Sequence, residues 1–291
     1  MPELPDITVY RERLAARVVG TRLQAAEVSS PFVLRSVEPR LASFSGCQVT
    51  GIERLGKRIV IAVEGDLFLV IHLMIAGRLK WAAVGKKPPK GLASFAFTSG
   101  ALVLTEAGTK RRASLTAVLG RTALQAMDRG GMGVLSASDD ALLARLRSEN
   151  HTLKRALTDP RLLDGIGNAY SDEILHAARL SPLQLTTKLS QADGLRLVHA
   201  IRSTLTMWIE RLRAEVGDGW PEKVTAFRDD MAVHGRFRQP CPVCGAPVQR
   251  IRYAENETNY CARCQTGGRL LADRAMSRLL REDWPRSLDE L

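Results

Sequence analysis

An α+β chain of several domains is expected: a β-rich first third opened by a helix, a helical middle, and a small cysteine-bearing module near the end. At 291 residues the chain exceeds the ~100–200 residues usual for one domain. Its apolar pattern changes from short β-type runs before Gly120 to helical spacing after Gly133. Four of its five cysteines fall within residues 241–264.

Pro5 through Val18 puts Ile7, Tyr10, Leu14 and Val18 on one helical face, with Gly20 following, so an amphipathic helix opens the chain. Between Arg22 and Gly120 strands are expected at Val49–Arg54, Arg58–Val63, Leu67–Leu73, Ser94–Thr98 and Ala101–Thr105, with turns at Glu64-Gly65-Asp66 and Ser99-Gly100. Such strands without long helices between them imply an antiparallel sandwich or barrel over residues 1–120. The stretch Arg129–Gly133 is the expected linker. Helices are expected at Ser138–Arg147, His151–Leu157, Ala169–Ala178 and Ser190–Val216, making a helical domain over 134–222; the last carries Leu195, Val198, Ile201, Leu205 and Ile209 on one face. The cysteine module occupies 234–268. A C-terminal extension, 269–291, is read as an amphipathic helix and a tail. Cys47, in the apolar context Phe44–Val49, is expected in the core.

Lys and Arg number 42 against 31 Asp and Glu, a formal +11, which favours a polyanionic partner such as DNA or RNA; the alternative is a surface kept soluble by surplus charge. Aromatics at 5% disfavour a single-strand binder built on stacking platforms, so duplex backbone contact fits better. The apolar stretch Leu67–Ala76 is interrupted by His72 and falls short of the ~18 residues of a membrane span. The opening MPELPDITVY lacks the basic and apolar regions of a secretory signal, so a cytoplasmic protein is expected, nucleoid-associated when on DNA.

Cys241-Pro-Val-Cys244 and Cys261-Ala-Arg-Cys264, separated by residues 245–260, have the spacing of a four-thiolate zinc site. Each CxxC turn can offer two sulfurs to one tetrahedral metal, with Pro247–Tyr260 as a hairpin between the turns. Four protein ligands leave no position for water, so one structural Zn²⁺ is expected. The alternative, a pair of disulfides, is disfavoured in a chain without a secretion signal.

Asp164-Gly165-Ile166-Gly167-Asn168-Ala169-Tyr170-Ser171-Asp172-Glu173 is a glycine-bearing turn opening into a helix, where free N–H groups and the helix dipole suit phosphate. Lys154, one helix earlier, can add a charge. A plain helix-to-helix turn has the same pattern.

This turn, with Asn150-His151-Thr152-Leu153-Lys154 before it, the opening Met1-Pro2-Glu3-Leu4-Pro5, Gly56-Lys57 and the cysteine pairs, resembles the formamidopyrimidine-DNA glycosylase and endonuclease VIII family, enzymes that excise damaged bases. The resemblance runs in order from residue 1 to about residue 265. It implies an N-terminal antiparallel β-sandwich, a helix-two-turn-helix DNA-binding domain and a zinc finger, working as a monomer on double-stranded DNA that carries a damaged, oxidised base or an abasic site.

The resemblance further implies that Pro2, freed of Met1, is a secondary-amine nucleophile that attacks sugar C1′ to form an iminium. If Met1 is retained, the Pro2 nitrogen is an amide and this chemistry fails. Glu3 matches the acid/base, although a carboxylate at a helix start is also placed there by dipole effects alone. Lys57 matches the lysine that meets DNA and assists β-elimination; otherwise it is a solvated turn charge. Lys90, Arg111, Lys154 and Asn168 take the DNA-contacting places. The base must leave the helix before chemistry, and the protein must fill the gap.

The sequence departs from the family pattern at three places. After His72-Leu73, Ile75 stands at the void-filling methionine's place with Met74 beside it, and both are alternatively core strand residues. Gly108-Thr109-Lys110-Arg111-Arg112-Ala113 keeps the cations of the second wedge loop and loses its aromatic. Asn256 replaces a phosphate-gripping arginine that helps complete δ-elimination, so the protein is expected to stop at β-elimination or to act mainly as a hydrolytic glycosylase, unless Arg252 or Arg263 substitutes. The loop Trp220–Asp229 is expected to bear on the choice of lesion. The competing reading is a non-catalytic binder of damaged or branched DNA; a zinc-ribbon transcription or RNA-binding factor would leave Pro2-Glu3 and the glycine turn unexplained.

Overall fold

The computed structural model describes residues 1–107, 111–222, 224, 227–253, 256–281 and 285–290. The chain divides into two compact units, residues 1–129 with 208–225, and residues 130–207 with 226–291.

The first unit opens with α1 (Leu4–Val18) and continues through β1 (Leu23–Val28), β2 (Val49–Leu55), β3 (Arg58–Val63), β4 (Leu67–His72), β5 (Gly77–Ala83), β6 (Ala93–Phe97), β7 (Gly100–Glu106), β8 (Ser114–Leu119) and the short α2 (Arg121–Gln125). Two antiparallel four-stranded sheets form, ordered β1-β6-β7-β5 and β2-β3-β4-β8. Period-two alternation explains why β3 and β4 read as continuous apolar runs. Ile59 and Ile61 pair with Ile71 and Leu69 and join Ile7, Tyr10, Leu14, Phe95 and Leu102 in the main core. On the opposite face, Val60 and Ala62 pair with Val70 and Phe68 and pack with Val118 and Leu124 of α2. Both faces of the strands are therefore covered.

β1, β5 and β8 are strands beyond those the sequence pattern predicts; β1 is LQAAEV, whose Gln, Ala and Glu carry weak strand preference, and pairing with β6 supplies what propensity does not. Met74 and Ile75 are not core strand residues. β4 ends at His72, Met74 has φ 51°, and Ile75 is 56% exposed in the turn before β5. Gly77 allows that turn to close, because a Cβ there would lie 2.3 Å from the Leu73 carbonyl oxygen. Cys47 is half-buried and packs at the margin of the main core.

The second unit contains α3 (Asp139–Arg147), α4 (Leu153–Thr158), α5 (Asn168–Ala177), β9 (Gln249–Tyr253), β10 (Asn256–Tyr260), α7 (Ala262–Thr266) and α8 (Arg274–Leu280); α6 (Gln191–Val216) starts in it and ends in the first. Ser138 caps α3 by accepting the Ala141 N–H, and Thr152 caps α4 by accepting the Arg155 N–H. Val198, Ile201, Leu205 and Ile209 are buried along α6, whereas Leu195 is 42% exposed and lies off the buried face. Residues 130–133 are not slack: Met132 exchanges backbone hydrogen bonds with Leu162 and Asp164, and a Cβ on Gly131 would lie 2.4 Å from the Pro160 carbonyl oxygen.

The extension beyond Gly268 folds back on the cysteine module. Arg269 pairs with Ser287, the Leu271 N–H donates to Tyr260 Oη at 2.7 Å, and Leu270 and Leu271 bury against Tyr260 and Ala262. The Asp273 carboxylate accepts the Arg252 N–H at 2.7 Å, anchoring β9 from the extension.

Candidate active site and cysteine centre

The chain's N-terminus is built into the first unit. Pro2 is buried and Glu3, the N-cap of α1, is 2% exposed. The Glu3 N–H donates to Asp6 Oδ2 at 3.0 Å and the Glu3 carbonyl accepts the Ile7 N–H, so helix capping fixes the backbone beside the terminal amine. That amine belongs here to Met1. Burial lowers its pKa below the ordinary value; Arg78 and Lys57 lower it further, while Glu3 and Asp6 act the other way. The amine, the two carboxylates and the two cations therefore share one electrostatic cluster.

Lys57 enters this cluster from the two-residue turn between β2 and β3, where Gly56 takes φ 64° and Arg54 Nη1 donates to the Gly56 carbonyl at 2.8 Å. It is half-buried and not a freely solvated turn charge. His72, opposite Arg58 on the adjacent strand, has its pKa lowered to about 4 by burial and by Arg58, Lys57 and Arg129, so it is neutral at pH 7. In sequence His72 marks only the His72-Leu73 pair and a break in an apolar run, because one histidine in such a strand carries no spacing that foretells its charged neighbours.

Lys90 is exposed on the loop between β5 and β6, and Arg111 is exposed ahead of β8. Gly108, Thr109 and Lys110 of the expected wedge loop lie outside the described residues, as do residues 223, 225 and 226 of the Trp220–Asp229 loop.

In the second unit Lys154 and Asn168 meet. Lys154 Nζ donates to the Asn168 carbonyl at 2.7 Å and lies 2.5 Å from Asp172 Oδ1; Asp172 Oδ2 is 2.8 Å from His234 Nδ1. The Asn168 side chain donates Nδ2–H to the Glu257 carbonyl of β10 at 2.8 Å. Next to Asp172, the Glu173 carboxylate accepts the N–H groups of Ala232, Val233 and His234 at 2.7–2.9 Å. Burial pushes its pKa up and those three donors oppose the rise. Asp172 and Glu173 close the expected turn motif, but their partners, and His234 itself, are not legible there because they lie far away in sequence.

The hairpin β9–β10 carries the segment between the two CxxC turns. The four Sγ atoms of Cys241, Cys244, Cys261 and Cys264 lie within 4.8 Å of one another, with Cys241–Cys264 at 3.9 Å and Cys244–Cys261 at 3.4 Å. Zinc bonded to sulfur at ~2.3 Å in a tetrahedron needs sulfurs roughly 3.8 Å apart. The donor set and its dimensions fit one structural zinc. Asn256 is exposed at the start of β10, while Arg252 pairs with Glu257 at 3.2 Å and Arg263 donates to the Cys244 carbonyl at 3.4 Å.

Fold and site define a zinc-finger protein in which a β-sandwich with a buried N-terminus precedes a helical unit. Family models match in the same order: formamidopyrimidine-DNA glycosylase N-terminal domain over residues 1–115, the H2TH domain of that glycosylase over 135–217, and a zinc finger found in FPG and IleRS over 238–267. A formamidopyrimidine-DNA glycosylase of Acidothermus cellulolyticus is 32% identical over 277 residues, covering 91% of this chain and 97% of that protein. An uncharacterized formamidopyrimidine-DNA glycosylase-like protein of Mycobacterium tuberculosis is 42% identical over 151 residues, 52% of this chain and 94% of its own. The structure of MutM in complex with carbocyclic 8-oxo-G containing DNA superposes with TM-score 0.79 at 24% identity, over 91% of this chain and all of that one, and shares its fold. The chain belongs to the formamidopyrimidine-DNA glycosylase family. No helix among the described residues is long and apolar enough to cross a membrane.

Proposed function

We propose that this protein excises damaged, oxidised bases from double-stranded DNA and cleaves the resulting abasic site by β-elimination, with Pro2 as the nucleophile. The observation that carries this reading is the cluster of partly buried terminal amine, buried Glu3 and half-buried Lys57 in a chain matched to glycosylases over nearly its full length. Removal of Met1 turns the Pro2 amide into a secondary amine next to Glu3. An ordinary α-amino group has a pKa of about 8; burial of the kind felt at this terminus favours the neutral, nucleophilic form.

The Pro2 nitrogen forms a bond to C1′ as the bond from C1′ to the base breaks. The base leaves with a proton delivered by Glu3, whose carboxylate then takes the Pro2 N–H proton and returns it to O4′ as the C1′–O4′ bond breaks, leaving an iminium. Loss of a C2′ proton then expels the 3′ phosphate. Lys57 carries a positive charge beside this centre and assists that elimination. Lys154 uses two of its three N–H donors on Asp172 and Asn168. The third, with the α5 N-terminus, serves a DNA phosphate. Lys90 and Arg111 are exposed cations for further backbone contacts. With Asn256 in place of the family's arginine, the 5′ phosphate is retained and β-elimination is the end point.

Borohydride trapping on abasic-site and oxidised-base duplexes, with the N-terminus checked by mass, tests this. Wild-type protein lacking Met1 is expected to form a covalent complex that Pro2→Gly does not. No trapping and no base release by such protein would leave the non-catalytic DNA binder as the reading.

A further inference from the structure

His176 contacts the cysteine centre and has no part in the chemistry proposed above. It lies near the C-terminal end of α5, is 6% exposed, and brings Nε2 to 3.3 Å from Cys241 Sγ. Four thiolates carry more negative charge than a divalent zinc neutralises, so N–H donors to sulfur stabilise such a centre. Part of that excess is met inside the module: the Cys264 N–H donates to Cys261 Sγ at 3.5 Å, and the Ala246 N–H to the Cys244 thiolate. Cys241, one of the two buried ligands, has a side chain from another element against it.

That element is fastened to the module along its length. At its start Asn168 donates to the Glu257 carbonyl of the hairpin; at its middle Glu173 accepts three N–H groups from the segment leading into Cys241; near its end stands His176. The Gln265 side chain, just past Cys264, donates to the Leu180 carbonyl beyond α5 at 2.9 Å and accepts the Cys261 N–H at 2.8 Å. His176 is the one of these ties that ends on a metal-ligating sulfur.

We propose that His176 is an outer-sphere partner of the zinc centre, donating its Nε2 proton to the Cys241 thiolate, and that this bond strengthens zinc retention and couples metal occupancy to the order of α5. The bond sets the tautomer of the buried imidazole and gives Cys241 a directional donor that water cannot reach to replace.

The test uses the full zinc-loaded chain with His176→Phe, which keeps a ring of similar size without the donor, and His176→Gln, which offers an N–H at similar reach. Competition with a chromogenic zinc chelator is expected to show affinity about 10–100-fold weaker for His176→Phe, the range usual for lost outer-sphere partners, and largely recovered in His176→Gln. In the cobalt-substituted protein the thiolate-to-metal charge-transfer band is expected to move to lower energy in His176→Phe and to stay near the wild-type position in His176→Gln. Hydrogen exchange in α5 is expected to be faster in zinc-loaded His176→Phe than in wild type, and alike in the two once zinc is removed. Unchanged zinc affinity with an unmoved band overturns the proposal, as does an α5 difference that persists without zinc. Should His176→Phe fail to fold, His176→Asn, too short to reach the sulfur, takes its place; identical bands in the Gln and Asn variants then overturn it. These readouts are independent of DNA and stand apart from the glycosylase reading.

Discussion

Lys154 and Asp172 form a buried ion pair, with Nζ 2.5 Å from Oδ1 and side-chain exposures of 13% and 0%. His234 Nδ1 holds the second carboxylate oxygen at 2.8 Å. The cation proposed above to contact a DNA phosphate is thus held in position by an anion inside the same unit. Replacing Asp172 with Ala leaves a poorly solvated ammonium unpaired, and stability is expected to fall by about 3–5 kcal/mol. Urea unfolding checks this, and Lys154→Met combined with Asp172→Leu is expected to be less destabilised than Asp172→Ala alone.

Glu3 is expected to act chemically beyond its place at the start of α1. Glu3→Gln keeps the N-cap backbone and its hydrogen bond to Asp6 but cannot deliver a proton. Single-turnover base release is expected to slow by about 10²–10⁴-fold, with duplex affinity within a few-fold of wild type. A comparable loss of affinity would reduce Glu3 to a structural cap.

His72 makes stability fall on acidification. Its pKa is about 4 in the folded chain against 6.5 ordinarily. Between those values the unfolded chain takes up a proton that the folded chain refuses, so its contribution is intact above pH 6.5 and is lost as pH falls toward 4. Urea midpoints at pH 7 and pH 5 are expected to differ less in His72→Phe than in wild type.

Trp220 anchors the segment after α6 to the β-sandwich unit. Its Nε1 donates to the Leu79 carbonyl at 2.8 Å, its ring lies 5.6 Å from Tyr10 and 5.9 Å from Trp81, and the Arg17 guanidinium sits 5.6 Å from its centroid. Trp220→Ala is expected to cost about 2–3 kcal/mol, below the ~3–5 of a fully buried aromatic because this one is half-buried. Thermal unfolding measures it.

Truncation after Gly268 removes Leu270 and Leu271 from the cluster around Tyr260, each worth about 1.5–3 kcal/mol of burial, and frees the Arg252 N–H from Asp273. The truncated protein is expected to melt at lower temperature and to release zinc to a chelator faster. Equal melting temperatures would make the extension an unattached tail.

Much of the frame was legible because its signals are short-range. The helix Leu4–Val18 follows from Ile7, Tyr10, Leu14 and Val18 at helical spacing, β3 from an unbroken run, and the metal centre from two CxxC turns whose sulfurs do converge. What was not legible depended on partners elsewhere. β1 is a strand because β6 lies beside it, and Leu195 shares the periodicity of Val198 and Ile201 yet stays exposed. Met74 and Ile75 continue an apolar run but fall where the chain must turn into β5.

By itself the sequence determined the order of the parts, the four metal ligands and the identity of the residues at the N-terminus, since covalent spacing and periodicity act over a few residues and survive in any packing. Only the tertiary structure decided which charges are compensated. Lys154 is matched by Asp172, whose other oxygen faces His234 Nδ1, Glu173 by three N–H groups some sixty residues on, and the terminal amine by Glu3 and Asp6 against burial, Arg78 and Lys57. Solvation and Coulomb energy depend on distance in space, which local sequence does not encode.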